Sequence, residues 1–121
     1  MKRLLILTAI IEGQTGLALL VAPSLVARLL LGATLDAPAA MAVARVAGAA
    51  LLALGIACWL ARNNGRALVT AMLFYNIAVV AVLTHAAFGL ALSGIGLWPA
   101  VALHTGLAGW CATATRTARL K

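Results

Sequence analysis

Four long apolar segments dominate the chain, and short polar stretches separate them. They cover about residues 4–21, 39–60, 67–90 and 97–113. Each approaches the roughly 20 residues that a helix needs to cross the hydrocarbon core of a membrane. The segments are too long for the strands of a membrane barrel and lack the alternation of such strands. The pattern predicts an all-α integral membrane protein, a four-helix up-and-down bundle that forms a single domain over residues 1–121.

The stretch between the first two spans carries helical signals of its own. Pro23 suits the first turn of a helix, and mostly apolar residues continue to Leu31. Arg28 lies within this stretch, and its long side chain can carry the guanidinium to the lipid headgroups. We therefore predict a short interfacial helix after the first span, on the outer side of the membrane.

The positive residues are concentrated on one side of the predicted bundle. Those that precede the first span, separate the second from the third or follow the fourth are Lys2, Arg3, Arg62, Arg66, Arg116, Arg119 and Lys121. The opposite side holds only Arg28. Because the side of a membrane protein that is rich in Lys and Arg faces the cytoplasm, both termini are predicted to be cytoplasmic.

Composition excludes several other classes of protein. Hydrophobic residues make up 65% of the chain and charged residues only 9%, far from the balance of a soluble domain or a disordered chain. The net charge of +7 does not indicate nucleic-acid binding, because the basic residues flank apolar runs instead of forming a polar basic face. The expected surroundings are the lipid bilayer and, beyond it, a membrane-protein partner or further copies of the chain.

Three polar residues within the predicted spans form a candidate intramembrane polar cluster: Glu12, Arg45 and Asn76. An ionised side chain at this depth costs about 2.5–3.5 kcal/mol or more unless it is paired. Glu12 and Arg45 are the only acid and base there, so we expect them to pair. Such a pair either sets the order of the helices or belongs to a proton-coupled or ion-coupled site.

Two histidines lie at matching depths on the third and fourth predicted spans. His85 and His104 could together ligate a haem iron, and with Arg45 they could bind a quinone or an anionic headgroup. The alternative is that each histidine donates to a backbone carbonyl or a hydroxyl. Tyr75 is expected to be a packing residue whose hydroxyl finds a polar neighbour. Cys58 and Cys111 are expected to be small buried apolar residues.

Motifs for catalysis are missing from the sequence. It contains no phosphate-binding glycine loop, no serine nucleophile elbow and no His-Glu-x-x-His zinc motif. We therefore predict no catalytic residues, no metal site and no enzyme activity.

Residues 44–56, with the sequence ARVAGAALLALGI, resemble the second-helix pattern of DoxX-like small bacterial membrane proteins. In that pattern an arginine opens a glycine-rich apolar helix, here Arg45 with Gly48 and Gly55. The resemblance implies a four-helix fold in the bacterial inner membrane, and one namesake is a subunit of a membrane quinone oxidoreductase. Glu12 in the first span is also similar to the membrane glutamate of small multidrug resistance transporters, although the strong charge bias departs from that family.

Three functions follow as hypotheses. The first is an uncharacterised, non-catalytic accessory or interaction subunit of a membrane complex. The second is a small proton-coupled transporter that uses Glu12 as its coupling carboxylate. The third is a redox membrane protein that binds haem or quinone through His85 and His104.

Overall fold

A computed structural model describes residues 1–117, which contain five helices. The helices are α1 (Lys2–Val21), α2 (Pro23–Leu31), α3 (Pro38–Leu60), α4 (Arg66–Gly89) and α5 (Leu97–Thr117). Their bounds agree closely with the four predicted spans and with the short helix between the first two. Arg119 and Lys121, which contribute to the predicted charge bias, lie outside the described residues.

Three of the helices, α1, α3 and α4, are long and apolar enough to cross a membrane, which indicates a membrane protein. Many large apolar side chains cover the surface, and Val46, Phe74 and Phe88 are each at least 70% exposed. Such a surface is unfavourable in water but suits lipid. The fourth predicted span corresponds to α5, which is helical as expected but is the least hydrophobic of the four long helices.

Helices α1 and α3 pack against each other at backbone distance. A Cβ atom at Gly48 would lie 2.8 Å from the carbonyl oxygen of Gly16, and one at Gly55 would lie 2.8 Å from the backbone nitrogen of Gly13. Without side chains at these points, the two backbones approach closely and gain van der Waals contact, which is how helices associate in lipid. Gly48 of α3 lies beside Gly16 of α1, and Gly55 lies beside Gly13. Because residue numbers rise along α3 while they fall along α1, the two helices are antiparallel.

Helices α4 and α5 form the second main helix pair, and buried side chains lie between the two pairs. The buried core draws on all four long helices and comprises Leu4, Leu5, Ala9, Cys58, Val69, Met72, Leu107 and Cys111. The two pairs therefore meet through side-chain packing, in contrast to the backbone contact between α1 and α3.

Helix α2 is held at its carboxyl end by the segment that leads into α5. Its Leu29 carbonyl oxygen accepts a hydrogen bond of 2.8 Å from the backbone N–H of Gly96. Gly32 ends the helix in the left-handed conformation, with φ of +73°, which glycine adopts without steric cost. These contacts hold α2 across the end of the bundle at which α1 and α4 finish and α3 and α5 begin.

Candidate functional site

A buried carboxyl group lies at the centre of the bundle. Glu12 of α1 is only 1% exposed, and its Oε2 accepts a hydrogen bond of 2.8 Å from the hydroxyl of Tyr75 on α4. Its other oxygen, Oε1, is buried with no hydrogen-bond partner among the described residues. Among the side-chain hydrogen bonds of residues 1–117, this is the one that connects α1 with α4.

A second polar pair lies directly beside the first. His104 of α5 and Asn76 of α4 are buried, and His104 Nδ1 lies 2.7 Å from Asn76 Oδ1. Asn76 Nδ2 donates to the carbonyl oxygen of Met72 at 2.7 Å. The rings of Tyr75 and His104 meet edge to face, with centroids 5.8 Å apart. The four side chains of Glu12, Tyr75, Asn76 and His104 thus form one connected group, here called the polar network.

A cavity of about 420 Å³ extends from the polar network towards α2. Tyr75 and His104 line its inner end, and Thr15 together with apolar side chains of all five helices lines the rest. On α4 the lining continues from Tyr75 through Val79 to Leu83, a distance of roughly 12 Å along the helix axis. Side chains of α2, including Val26 and Leu30, close the outer end. The volume and the apolar lining are typical of a site for a small ligand.

The expected pairing of Glu12 with Arg45 is wrong. Arg45 is exposed on α3, and its Nε donates to the carbonyl oxygen of Leu20 at 3.3 Å. Because Gly55 lies beside Gly13, Arg45 lies roughly 15 Å along the α3 axis from the level of Glu12. The expected pairing assumed that Glu12 and Arg45 lie at depths in the membrane close enough for their side chains to meet. The contacts between α1 and α3 place them farther apart than that. Of the predicted polar cluster, only Glu12 and Asn76 belong to the polar network.

The expected joint site of His85 and His104 is also wrong. His104 is buried against Asn76, whereas His85 is exposed on α4. Asn76 and His85 are nine residues apart on one helix, so they lie on opposite faces. Arg45 does not line the cavity that His104 faces. The two histidines therefore share no site for haem or quinone, and His104 alone faces the cavity.

The cysteines behave as expected, since Cys58 and Cys111 are both fully buried and neither forms a disulfide. Among residues 1–117 there is no group of three or more His, Cys, Asp or Glu side chains that could hold a metal ion.

Tyr75 belongs to the polar network, although the sequence analysis did not include it among the candidate site residues. Its hydroxyl does find a polar neighbour, as expected, but that neighbour is Glu12, and the ring also lines the cavity. The available signal was its position beside Asn76, as the only tyrosine of the sequence. An aromatic hydroxyl inside a membrane helix needs a partner, and Glu12 is the only acidic side chain within the predicted spans.

Comparison with known proteins identifies no relative of the chain. No family model matches the chain, and neither a curated protein nor a solved structure is significantly similar to it. The resemblance to DoxX-like proteins thus stays a prediction.

Proposed function

We propose that the chain is a non-catalytic accessory protein of a bacterial inner membrane that holds an apolar small molecule in its central cavity. The observation that carries this proposal is the cavity of about 420 Å³, apolar over most of its length, with Tyr75 and His104 at one end. Ligand sites in proteins have this form, a mostly apolar pocket with few convergent polar groups. As an accessory protein it would associate with another membrane protein or with further copies of itself.

The alternative hypotheses have weaker support. Tyr75 lines the cavity and Glu12 does not, so a cargo in the cavity would meet the coupling carboxylate of a transporter only through the tyrosine. Ligation of haem by two histidines requires both rings on one side of α4, and they lie on opposite sides. Binding of a ligand, in contrast, is compatible with the positions that the side chains of the polar network have in the structure.

We expect a cavity-filling substitution to remove the ligand. Ala100 lines the cavity, so the ring in Ala100→Phe would occupy the space that the ligand needs. Native mass spectrometry of protein extracted gently from its own membranes should detect a bound apolar mass in the wild type. The ratio of ligand-bound to ligand-free protein should fall about tenfold in the variant, which corresponds to a loss of about 1.4 kcal/mol of binding free energy.

The matched control is Ala102→Phe, which adds the same ring to an exposed position on the same helix. This variant should keep the ligand. A wild-type protein that carries no mass beyond detergent and randomly retained lipid would contradict the proposal. The same spectra report any partner subunit or second copy.

In the proposed topology, α1, α3, α4 and α5 all cross the bilayer and α2 lies at the outer interface. The support is the position of the positive residues, which lie at the start of α1, between α3 and α4 and at the end of α5: Lys2, Arg3, Arg62, Arg66 and Arg116. Because consecutive spans alternate in direction, these places all fall on one side, and an excess of Lys and Arg marks that side as cytoplasmic.

Reporter fusions test this topology directly. A fluorescent protein fused after Asn64 or after Lys121 should fold and fluoresce, because both sites are expected in the cytoplasm. Alkaline phosphatase fused after Ser93 should be active, because that site is expected outside. A second alkaline phosphatase fusion, placed after Lys121, should be inactive. Activity of that fusion would mean that α5 does not cross the membrane.

A further inference from the structure

The cavity has an asymmetry that limits what it can bind. Its polar lining comes from Tyr75, His104 and Thr15, on the inner parts of the long helices, whereas its outer end is closed by apolar side chains of α2. A ligand with one polar group would therefore insert that group first. This inference rests on the proposed function and deepens it by naming the class of ligand.

The hydrogen bonds of Asn76 determine which nitrogen of His104 carries the proton. Asn76 Nδ2 donates to the carbonyl oxygen of Met72, so Oδ1 is the acceptor that faces the histidine. His104 Nδ1 must then carry a hydrogen and donate it over 2.7 Å. In a neutral imidazole with Nδ1 protonated, Nε2 has a lone pair and no hydrogen.

His104 Nε2 is available to a molecule in the cavity. The Nδ1 side of the ring faces Asn76, which does not line the cavity, whereas the ring itself does. No hydrogen bond to Nε2 forms within residues 1–117. The hydroxyl of Tyr75 is already donated to Glu12, and that of Thr15 to the carbonyl oxygen of Ile11, so neither offers a donor to a ligand. The inner end of the cavity thus presents acceptors and no free donor.

We propose that the cavity binds a neutral, apolar alcohol or phenol, whose hydroxyl donates a hydrogen bond to His104 Nε2. A saturated acyl chain would leave Nε2 without a partner in an apolar environment, which is unfavourable. A phospholipid headgroup would need a cation at the inner end, and neither Arg28 nor Arg45 lines the cavity. Ketones, ethers and esters of the same shape lack the hydrogen that Nε2 accepts. The expected ligand is no longer than the roughly 12 Å between Tyr75 and Leu83 along α4.

The test compares two probes that differ by one hydrogen-bond donor. The protein in lipid nanodiscs is titrated with 2-naphthol and with 2-methoxynaphthalene, and empty nanodiscs correct for partition into lipid. We expect the wild type to bind 2-naphthol roughly five- to tenfold more tightly, the contribution of one hydrogen bond. His104→Phe keeps an aromatic ring of similar size but removes the acceptor, and it should bind both probes equally.

The matched control is His85→Phe, which makes the same change on the exposed face of α4 and should keep the preference for 2-naphthol. This variant also leaves His104 as the only histidine, so its ¹⁵N spectrum reports the ring directly. An Nδ1-protonated ring is expected, and an Nε2-protonated ring would overturn the inference without any substitution at His104.

The outcomes separate the two proposals. Saturable and equal binding of both probes by the wild type would overturn the donor inference and leave the cavity as a ligand site. Tighter binding of 2-methoxynaphthalene would overturn it in the same way. If neither probe binds saturably, or if Ala100→Phe binds them as well as the wild type does, the proposed function itself fails.

Discussion

Alanine at Gly16 should destabilise the protein by about 1–3 kcal/mol, the usual cost of adding a methyl group where no space exists. The new Cβ would lie 2.6 Å from the carbonyl oxygen of Gly48 and still closer to the backbone nitrogen of Leu52. Both neighbours are backbone atoms of α3, so only a shift of the whole helix can relieve the contact. Unfolding by SDS in dodecylmaltoside micelles, followed by tryptophan fluorescence, measures the change.

Gly13→Ala is the matched control, since it lies one turn away on the same helix. A Cβ at Gly13 would meet no atom within 4 Å, so we expect a change within about 0.5 kcal/mol of the wild type. Equal stability of the two variants would mean that α1 and α3 are not in contact at Gly16. Loss of stability in both would point to a role for glycine in α1 other than close packing.

Phenylalanine at Tyr75 should destabilise the protein by about 1–3 kcal/mol, because it leaves the buried Glu12 carboxyl group without the one hydrogen-bond partner that it has among residues 1–117. Glu12→Leu should also destabilise the protein, since it leaves the tyrosine hydroxyl unpaired. The double variant removes both polar groups together and leaves neither one unpaired. It should therefore be clearly more stable than the sum of the two single changes implies, with a coupling of about 1 kcal/mol or more.

The same unfolding assay measures all three variants, and Thr105→Val serves as the control. The hydroxyl of Thr105 is exposed and donates to the carbonyl oxygen of Val101 at 2.8 Å, within its own helix. Its removal should have little effect. Additive losses from Tyr75→Phe and Glu12→Leu would show that the two side chains do not interact, and the polar network would lose its link between α1 and α4.

The two predictions concern two neighbouring contacts of α1, one turn apart on the same side of the helix. At the contact with α3, association depends on the absence of side chains at Gly16, Gly48 and Gly55. At the contact with α4, it depends on one hydrogen bond, from Tyr75 to Glu12. The cavity lies between the two helix pairs, where packing is by side chains and leaves room for a ligand.

The helices themselves could be predicted from the sequence to within a few residues. The predicted span at residues 39–60 became α3 (Pro38–Leu60), and the stretch that begins at Pro23 became α2 with the expected bounds. Apolar runs of this length, bounded by proline, glycine and charge, have few alternatives to a helix, because every buried backbone group must find its partner within the segment.

The candidate site could be predicted only in its parts. Glu12, Asn76 and His104 were identified because polar groups are costly among apolar residues, and that signal is local to each residue. Their partners were not identified correctly. The sequence paired Glu12 with Arg45 by charge and His104 with His85 by type, whereas the structure pairs them with Tyr75 and Asn76.

The sequence alone determined where the helices run and that the chain suits a membrane, although it predicted four spans where three helices of the structure are long and apolar enough to cross one. Only the tertiary structure decided which helices are neighbours, how far each is shifted along the next, and which face each turns inward. A rise of about 1.5 Å per residue gives depth along one helix, but no local rule gives the rotation and offset between two helices. Those depend on close contacts such as Gly16 with Leu52, and they bring Tyr75 to Glu12 and leave Arg45 and His85 outside.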